Sequence, residues 1–554
     1  MVSDGILFQN AKVIDGSGNP WFRADVAVEG SFIVDIGKGL KNPGRIIDVE
    51  GLILSPGFVN IHGHSDSTIL MNPRSESLLM QGVTTEVIGN CGYSLAPLKE
   101  GTKKLVIENF PFPLEGLKIS WHSFGEYLKA IEDAHPSLNI VSLIGHGTIR
   151  LAVIGMEARR PTKDELDEMK ALIAKAMEDG AFGLSSGLAY PPGFFADTEE
   201  LVELCKVVAD YGGFYATHIR GEKDMDFLKA LKEALEIGER SGTSVQISHI
   251  ETHYPSFGRQ KDALRLLEEA RIRGLDVTCD VPPYLYAYTA LYSLLPEWMH
   301  EGGPEALLRR LSDPKLREKA ILEIETYPAK TAARAMAKDG KWDKIFLSSC
   351  PRRVDLEGKS LLEVSSLMGR KPLEAVLDLL GLGPPFPTIM MEVHSEEDIR
   401  EVLRHETSMI ETDFYSGPVG IGKAHPRGYG TFPMIFRKYV RGETRLEMPK
   451  EKGEKLLSLE EAVRKMTSFP MQRLGIWDRG IVRKGMRADI TIFDPKKIMD
   501  RATYENPEAY PQGIEYVLVN GQMVVEEGTF RGIRPGSVIR RNEGRRSFDF
   551  ARKF

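Results

Sequence analysis

The chain has 554 residues, of which 42% are hydrophobic and 27% charged, and a formal net charge of −7. This balance excludes a disordered chain and gives no electrostatic footprint for nucleic acid. No long apolar stretch reads as a membrane span, the first ten residues show no basic, apolar leader, and four scattered cysteines (Cys91, Cys205, Cys279, Cys350) are too few for a disulfide framework, so a cytoplasmic, reducing setting is expected.

Residues 1–54 read as small β-structure. Ile6-Leu7-Phe8, Ala11–Ile14, Ala24–Val28 and Phe32–Ile36 are short β-prone runs punctuated by Gly16, Gly18 and Gly30. From Leu54-Ser55-Pro56-Gly57 onward, short apolar runs alternate with helical patterns, which predicts βαβ units and a parallel sheet. Phe58-Val59-Asn60-Ile61 is the first such run, followed at once by His62-Gly63-His64. Another unit starts with Thr162 and Glu165 at capping-box spacing. It continues as a stripe of Leu166, Met169, Leu172, Ile173, Ala176 and Met177, and ends at Gly180 before the strand Ala181–Leu184. Further units lead to the strands Phe214–His218 and Ser244–His249.

Residues 290–345 break this rhythm, with Leu307, Leu308, Leu311, Leu316, Ile321, Leu322 and Ile324 spaced among charges; a helical insertion is expected there. The rhythm resumes through Ser408–Asp413. Ser416-Gly417-Pro418-Val419-Gly420 favours a defined turn after it. Past residue 484 the chain is β-rich again, in Asp489–Asp494 and Tyr516–Val525. Neither terminal segment is long enough to bury a core alone. The expected fold is therefore α/β: a TIM-like (β/α)8 barrel over 55–484 with the insertion, beside one small composite β domain built from 1–54 and 485–554.

In an α/β barrel the C-terminal ends of the strands share one face, and chemistry is built there. Residues of metal-ligand type end several predicted strands: His62, with His64 just beyond it, then Cys91, His218, His249 and Asp413. Imidazole, thiolate and carboxylate are the protein ligands of zinc. His146, in Gly145-His146-Gly147, also ends an apolar run and is expected to touch substrate or to support a ligand. Cys205 sits in an apolar helical stripe and reads as core.

Pro56-Gly57-Phe58-Val59-Asn60-Ile61-His62-Gly63-His64 resembles the metal motif of the amidohydrolase superfamily. Gly89-Asn90-Cys91-Gly92, Gly187–Gly193, Ala216-Thr217-His218-Ile219-Arg220, Gln246-Ile247-Ser248-His249 and His425–Phe432 narrow the resemblance to the N-acyl-D-amino-acid deacylases, the D-aminoacylases. Arg501–Pro507 and Val517–Gly521 agree, so the similarity runs nearly end to end.

The resemblance implies a zinc-dependent barrel enzyme acting on a small molecule, with no nucleic-acid or membrane partner and room for a homo-oligomer. It implies that Cys91, His218 and His249 hold one tightly bound Zn2+. His62 and His64, with Cys91 and Asp413, would form a second, weaker site. Cys91 would stand where many relatives have a bridging carboxylated lysine. Asp413 would carry the proton from water to the leaving nitrogen, Arg427 would meet the substrate carboxylate, and Tyr190 and Tyr284 would line the pocket. Tyr288 stands where the family segment usually has a serine, which bears on substrate size. The rival readings are a cyclic-amide hydrolase of hydantoinase or dihydroorotase type, against which Cys91 counts, and a non-catalytic protein with structural zinc.

Overall fold

The computed structural model describes residues 5–541 apart from 42–43, 222–223, 418–419, 421 and 445–452. The chain ends 1–4 and 542–554, assigned above to the β domain, lie outside the described residues, as does Pro418-Val419 of the expected turn.

The barrel strands are β1 (Phe58–Asn60), β2 (Val83–Ile88), β3 (Asn139–Ser142, continued by Ile144–Gly145), β4 (Gly183–Gly187), β5 (Phe214–His218), β6 (Ser244–Ile247), β7 (Val277–Val281) and β8 (Ser408–Ile410). Each pairs in parallel with the next. The ring closes through a parallel bridge between Gly63 and Phe414, where His64 N–H donates to the Phe414 carbonyl (3.0 Å) and Asp413 N–H to that of His62 (3.0 Å). The closing seam is thus made by residues that flank three candidate ligands.

Strand alternation divides the apolar residues between two faces. Val59, Val87, Val141, Phe214, Ala216 and Met409 belong to one buried cluster, together with Met471 and Leu474 of the helix Ser468–Leu474. Phe58, Ile88, Ile140, Tyr215, Val245, Ile247 and Ile410 belong to another, shared with the outer helices. The helix Lys163–Asp179 is representative. Thr162 Oγ1 accepts from Glu165 N–H (3.3 Å), the Glu165 carboxylate accepts from Thr162 N–H (2.7 Å), and Gly180 ends the helix at φ 118°, a conformation that only glycine adopts readily.

Both ends of the chain enter one nine-stranded sheet. Ile53–Pro56 pairs in parallel with Ile6–Val13 and antiparallel with Ile490–Phe493. Phe8, Val13, Val26 and Leu54 share a core there with Ile490, Ile492 and Leu518. A separate body interrupts the barrel between β7 and β8. It contains the helices Gly303–Ser312, Pro314–Thr326 and Ala332–Lys338, which fall in the region read as a helical insertion. The body runs on past residue 345, and adds a three-stranded antiparallel sheet of Tyr286–Ala290, Thr388–Glu392 and Ile345–Ser349. Leu291, Leu307, Ile324, Met336, Leu347, Val376 and Ile389 give this body a core of its own. All four cysteines are free and buried, and among the described residues no helix is long and apolar enough to cross a membrane.

Candidate metal centre

Six side chains converge at the C-terminal mouth of the barrel. His218 is the last residue of β5. His62 and His249 stand two residues beyond β1 and β6, and Cys91 and Asp413 three beyond β2 and β8, with His64 following His62 by two. Cys91, His249 and Asp413 all have left-handed backbones, at φ 53°, 36° and 43°. For residues other than glycine this conformation costs about 1–3 kcal/mol each and persists only where the surroundings enforce it. The enforcing contacts are on hand. Tyr190 Oη donates to the Cys91 carbonyl (2.7 Å), His249 N–H donates to Asp280 Oδ1 (2.6 Å), and Asp413 N–H is in the closing seam.

Two donor groups result, and Cys91 belongs to both. His62, His64, Cys91 and Asp413 place one ligand atom each within 4.8 Å of one another, and so do Cys91, His218 and His249. Cys91 Sγ lies 3.2 Å from His62 Nε2 and 3.5 Å from His249 Nε2. His218 Nδ1 is 2.9 Å from His249 Nε2, and Asp413 Oδ1 is 3.0 Å from His64 Nε2. Burial pushes the Cys91 thiol up, but the imidazoles of His62, His218 and His249 outweigh it and hold it well below its ordinary value. Asp413 behaves alike: burial raises it, while Arg427, His64, His249 and His62 bring it well below the usual carboxylate range. His62 Nδ1 and His64 Nδ1 are buried without a hydrogen-bond partner. A thiolate, four imidazoles and a carboxylate facing one another at the cavity floor are a donor set that fits a divalent metal.

Asp280, within β7, is a residue that sequence reasoning passed over. Its Oδ1 accepts from His249 N–H and lies 3.6 Å from His62 Nδ1, and its Oδ2 accepts from Gln246 Nε2 (2.7 Å). A carboxylate behind a ligand imidazole fixes its orientation and raises its basicity. The signal available was an acidic residue one position before the end of a buried strand, in the same segment as Tyr284 and Tyr288. A second support sits under the closing seam. Glu86 Oε1 accepts from Ser65 Oγ (2.9 Å) and Asn60 Nδ2 (3.3 Å), and burial pushes this carboxyl up to about 8.

Arg427 opens the helix Arg427–Met434 and is 3% exposed. Its Nη1 lies 2.9 Å from Asp413 Oδ2, and its Nε is buried without a partner, so the guanidinium is only partly engaged. His425, also passed over, orients this segment: Nε2 donates to the Tyr286 carbonyl (3.0 Å) and Nδ1 accepts from Arg427 N–H (3.0 Å). Tyr190 reaches the cavity, its ring 5.0 Å from that of His218. Tyr288 also lines the cavity and donates to Thr388 Oγ1 (3.0 Å).

Two expected contacts take another course. His146 is fully buried away from the cavity and donates from Nε2 to Glu200 Oε1 (2.8 Å), while Arg150 pairs with the other oxygen of Glu200. It starts the helix His146–Val153, whose first turn packs under Gly92, and so backs the Cys91 loop instead of facing a substrate. Tyr284 is not a cavity wall either; its hydroxyl points to the Pro426 carbonyl (3.4 Å), beneath the Arg427 segment. The cavity is walled by His64, Cys91, Tyr190, His218, His249, Asp413 and Arg427 on the barrel side. Tyr288, Tyr292, Thr331, Met391 and His394 of the inserted body face them.

Residues 45–525 match the profile described as the amidohydrolase family. The chain is 33% identical to a D-aminoacylase of Alcaligenes xylosoxydans xylosoxydans, over 97% of each protein. A solved N-acyl-D-glutamate deacylase from Bordetella bronchiseptica, complexed with zinc and a phosphonate mimic of the tetrahedral intermediate, superposes with a TM-score of 0.79. The two share 29% identity, covering 98% of this chain and 100% of that one. A D-hydantoinase from Thermus sp. shares the fold alone, at a TM-score of 0.55 and 14% identity, covering 97% of this chain and 98% of that one.

Proposed function

The chain belongs to the amidohydrolase family, and on that premise we propose that it hydrolyses the amide bond of N-acyl-D-amino acids, with zinc, to a carboxylate and a free D-amino acid. The reading rests on one observation above all. Strand ends around the barrel bring two donor groups that share Cys91 to a cavity where a carboxylate, Asp413, is paired with a partly free guanidinium, Arg427. The D-hand follows from the names of the relatives and from no feature of the spacing.

Cys91, His218 and His249 would hold one zinc ion, and His62, His64, Cys91 and Asp413 a second, weaker one; zinc bound there supplies polarisation of the amide carbonyl and acidification of water. Asp413 is kept ionised by Arg427 and His64, so it is ready to accept a proton from the attacking water. The same carboxylate hands that proton to the amide nitrogen as the C–N bond breaks. Arg427 keeps N–H groups to spare beyond Asp413 and would meet the substrate carboxylate with them, since guanidinium suits planar carboxylate recognition. Tyr190 holds the Cys91 carbonyl in place, and the aromatic walls on the far side limit water.

A paired assay of N-acetyl-D- and N-acetyl-L-amino acids, with metal analysis of the same sample, tests this reading. Faster cleavage of the D series by zinc-containing protein is expected. Faster cleavage of the L series would overturn the assigned hand. Cleavage of hydantoins with neither series touched would transfer the assignment to cyclic amides.

A further inference from the structure

Beside the reaction cavity lies a second and roomier one, of about 670 Å³ against about 110 Å³. Arg334 is on its wall, 8% exposed. One of its nitrogens donates to the Leu295 carbonyl, and its Nε is buried with no hydrogen-bond partner. Among the described residues no carboxylate pairs with it. The two carboxylates whose fields reach it are engaged elsewhere: Glu297 with Lys330 (2.8 Å) and Glu323 with Trp298 Nε1 (2.9 Å). A buried guanidinium left without an anion is costly, so an unpaired one on a cavity wall points to an anion that arrives with a ligand.

The other half-buried charges around this cavity are already matched: Arg220 pairs with Glu233 (2.9 Å) and Asp197 with Arg160 (2.6 Å). At its rim Glu236 pairs with Arg240 (3.0 Å), whereas Lys229 and Lys232 are exposed to solvent. His300, next to Arg334, is pushed down to about 3 by burial and then by that guanidinium, so it stays neutral and does not crowd the site with a second positive charge. The unmatched charge in the interior of the cavity is therefore positive and centred on Arg334.

The two cavities adjoin. Ala189, Tyr190, Ser293 and Thr331 line both, and Thr331–Ala333, on the reaction side, lead directly to Arg334. The direction of approach selects the part of the substrate. Tyr190 stands by Cys91 and His218, whereas Arg427 stands by Asp413 and lines the reaction cavity alone. With the α-carboxylate at Arg427, the end of the substrate that leaves past Tyr190 and Thr331 is the acyl group.

We propose that the second cavity is an acyl subsite for a negatively charged tail, with Arg334 as partner of a terminal carboxylate, so that N-succinyl and N-glutaryl derivatives are favoured over neutral N-acyl groups of equal length. This rests on the deacylase reading above. The zinc-loaded enzyme is to be assayed on N-succinyl- and N-butyryl- derivatives of one D-amino acid, in the unmodified chain and in Arg334→Gln and Arg334→Lys. A charge-assisted contact of this kind corresponds to a preference of about 10–100-fold in kcat/KM, carried by KM. Arg334→Gln should remove most of that preference with a much smaller effect on the butyryl compound, and Arg334→Lys should restore part of it.

Equal cleavage of the two compounds by the unmodified chain overturns the proposal, and this arm needs no variant to fold. So does an equal loss on both in Arg334→Gln, the mark of a merely structural arginine. Inorganic phosphate binding through Arg334 without any succinyl preference would assign the cavity to a free anion instead. Titration calorimetry of the two compounds reads the subsite even where neither is hydrolysed. Tighter succinyl binding without turnover would then count against the deacylase reading alone, and equal binding against the subsite.

Discussion

The reaction cavity has two sides of different origin. On the barrel side, every candidate ligand lies in or within four residues of a parallel strand, in a closed ring whose seam runs through His62, His64 and Asp413. On the other side, Tyr288, Tyr292, Thr331, Met391 and His394 come from or adjoin a body with its own core and its own antiparallel sheet. The candidate ligands are held by backbone geometry that packing enforces, including three left-handed residues. The facing wall is carried by that separate sheet, where Tyr288 pairs with Met390 and its hydroxyl donates to Thr388. The barrel side should therefore decide whether the reaction occurs, and the inserted side which substrates undergo it. Substitutions can break that division or sharpen it.

The largest effect is expected at Cys91, the donor common to both groups. In Cys91→Ala, metal content and turnover should fall together. A loss of about 5.5 kcal/mol of transition-state stabilisation, within reach of what a bound metal contributes, is about 10⁴-fold in rate. Full metal content with full activity in this variant would sink its assignment as a ligand. Dialysis of the unmodified protein against a chelator should give the same inactive state, reversed by added zinc.

Next comes Asp413→Asn, which keeps the shape but removes the base. We expect a fall of about 10²–10⁴-fold in kcat with the ion on Cys91, His218 and His249 retained. Unchanged turnover in a metal-loaded sample would place the proton elsewhere. Asp280→Asn tests the support behind the ligands: metal affinity should weaken by roughly 10–100-fold, with a smaller loss of kcat at saturating zinc. If affinity is unaltered, the 3.6 Å approach of Asp280 to His62 plays no part in holding the ring.

These two sides were also unequally legible in the sequence. That the candidate ligands would meet was readable because parallel barrel strands send their C-termini to one face, so a histidine, cysteine or aspartate after an apolar run carries its position with it. His146 shows where that rule ends. It too follows an apolar run, but it begins a helix, and its ring turns outward to Glu200. Asp280 was missed because its residue type is unremarkable inside a strand until its face is known. The inserted body was read as helical from its spaced leucines and isoleucines. Its sheet pairs residues about a hundred positions apart, such as Tyr288 with Met390, and no local pattern announces such a pairing. Tyr284 and Tyr288, four residues apart, are separated only by the start of the strand Tyr286–Ala290, which carries Tyr288 into the inserted sheet and leaves Tyr284 before it.

The smallest expected effect is on that inserted side and bears on selectivity, not on rate as such. Tyr288 is half-buried, its ring is edge-on to Phe414 at 5.2 Å, and its hydroxyl is committed to Thr388. It therefore acts as a fixed wall near Arg427, on which a proposed α-carboxylate would be seated. A substrate held at that end must turn its side chain past this wall. Tyr288→Ser removes the ring and leaves space that a larger side chain can fill. One methylene in such a pocket is worth about 1–3 kcal/mol, so the ratio of kcat/KM for N-acetyl-D-phenylalanine over N-acetyl-D-alanine should rise by about 10-fold or more. Metal content should not change, because Tyr288 touches none of the six donors by any hydrogen bond among the described residues. A uniform loss on both substrates, or a loss of metal, would mean that the inserted wall also holds the centre in shape, and the division between the two sides would fall.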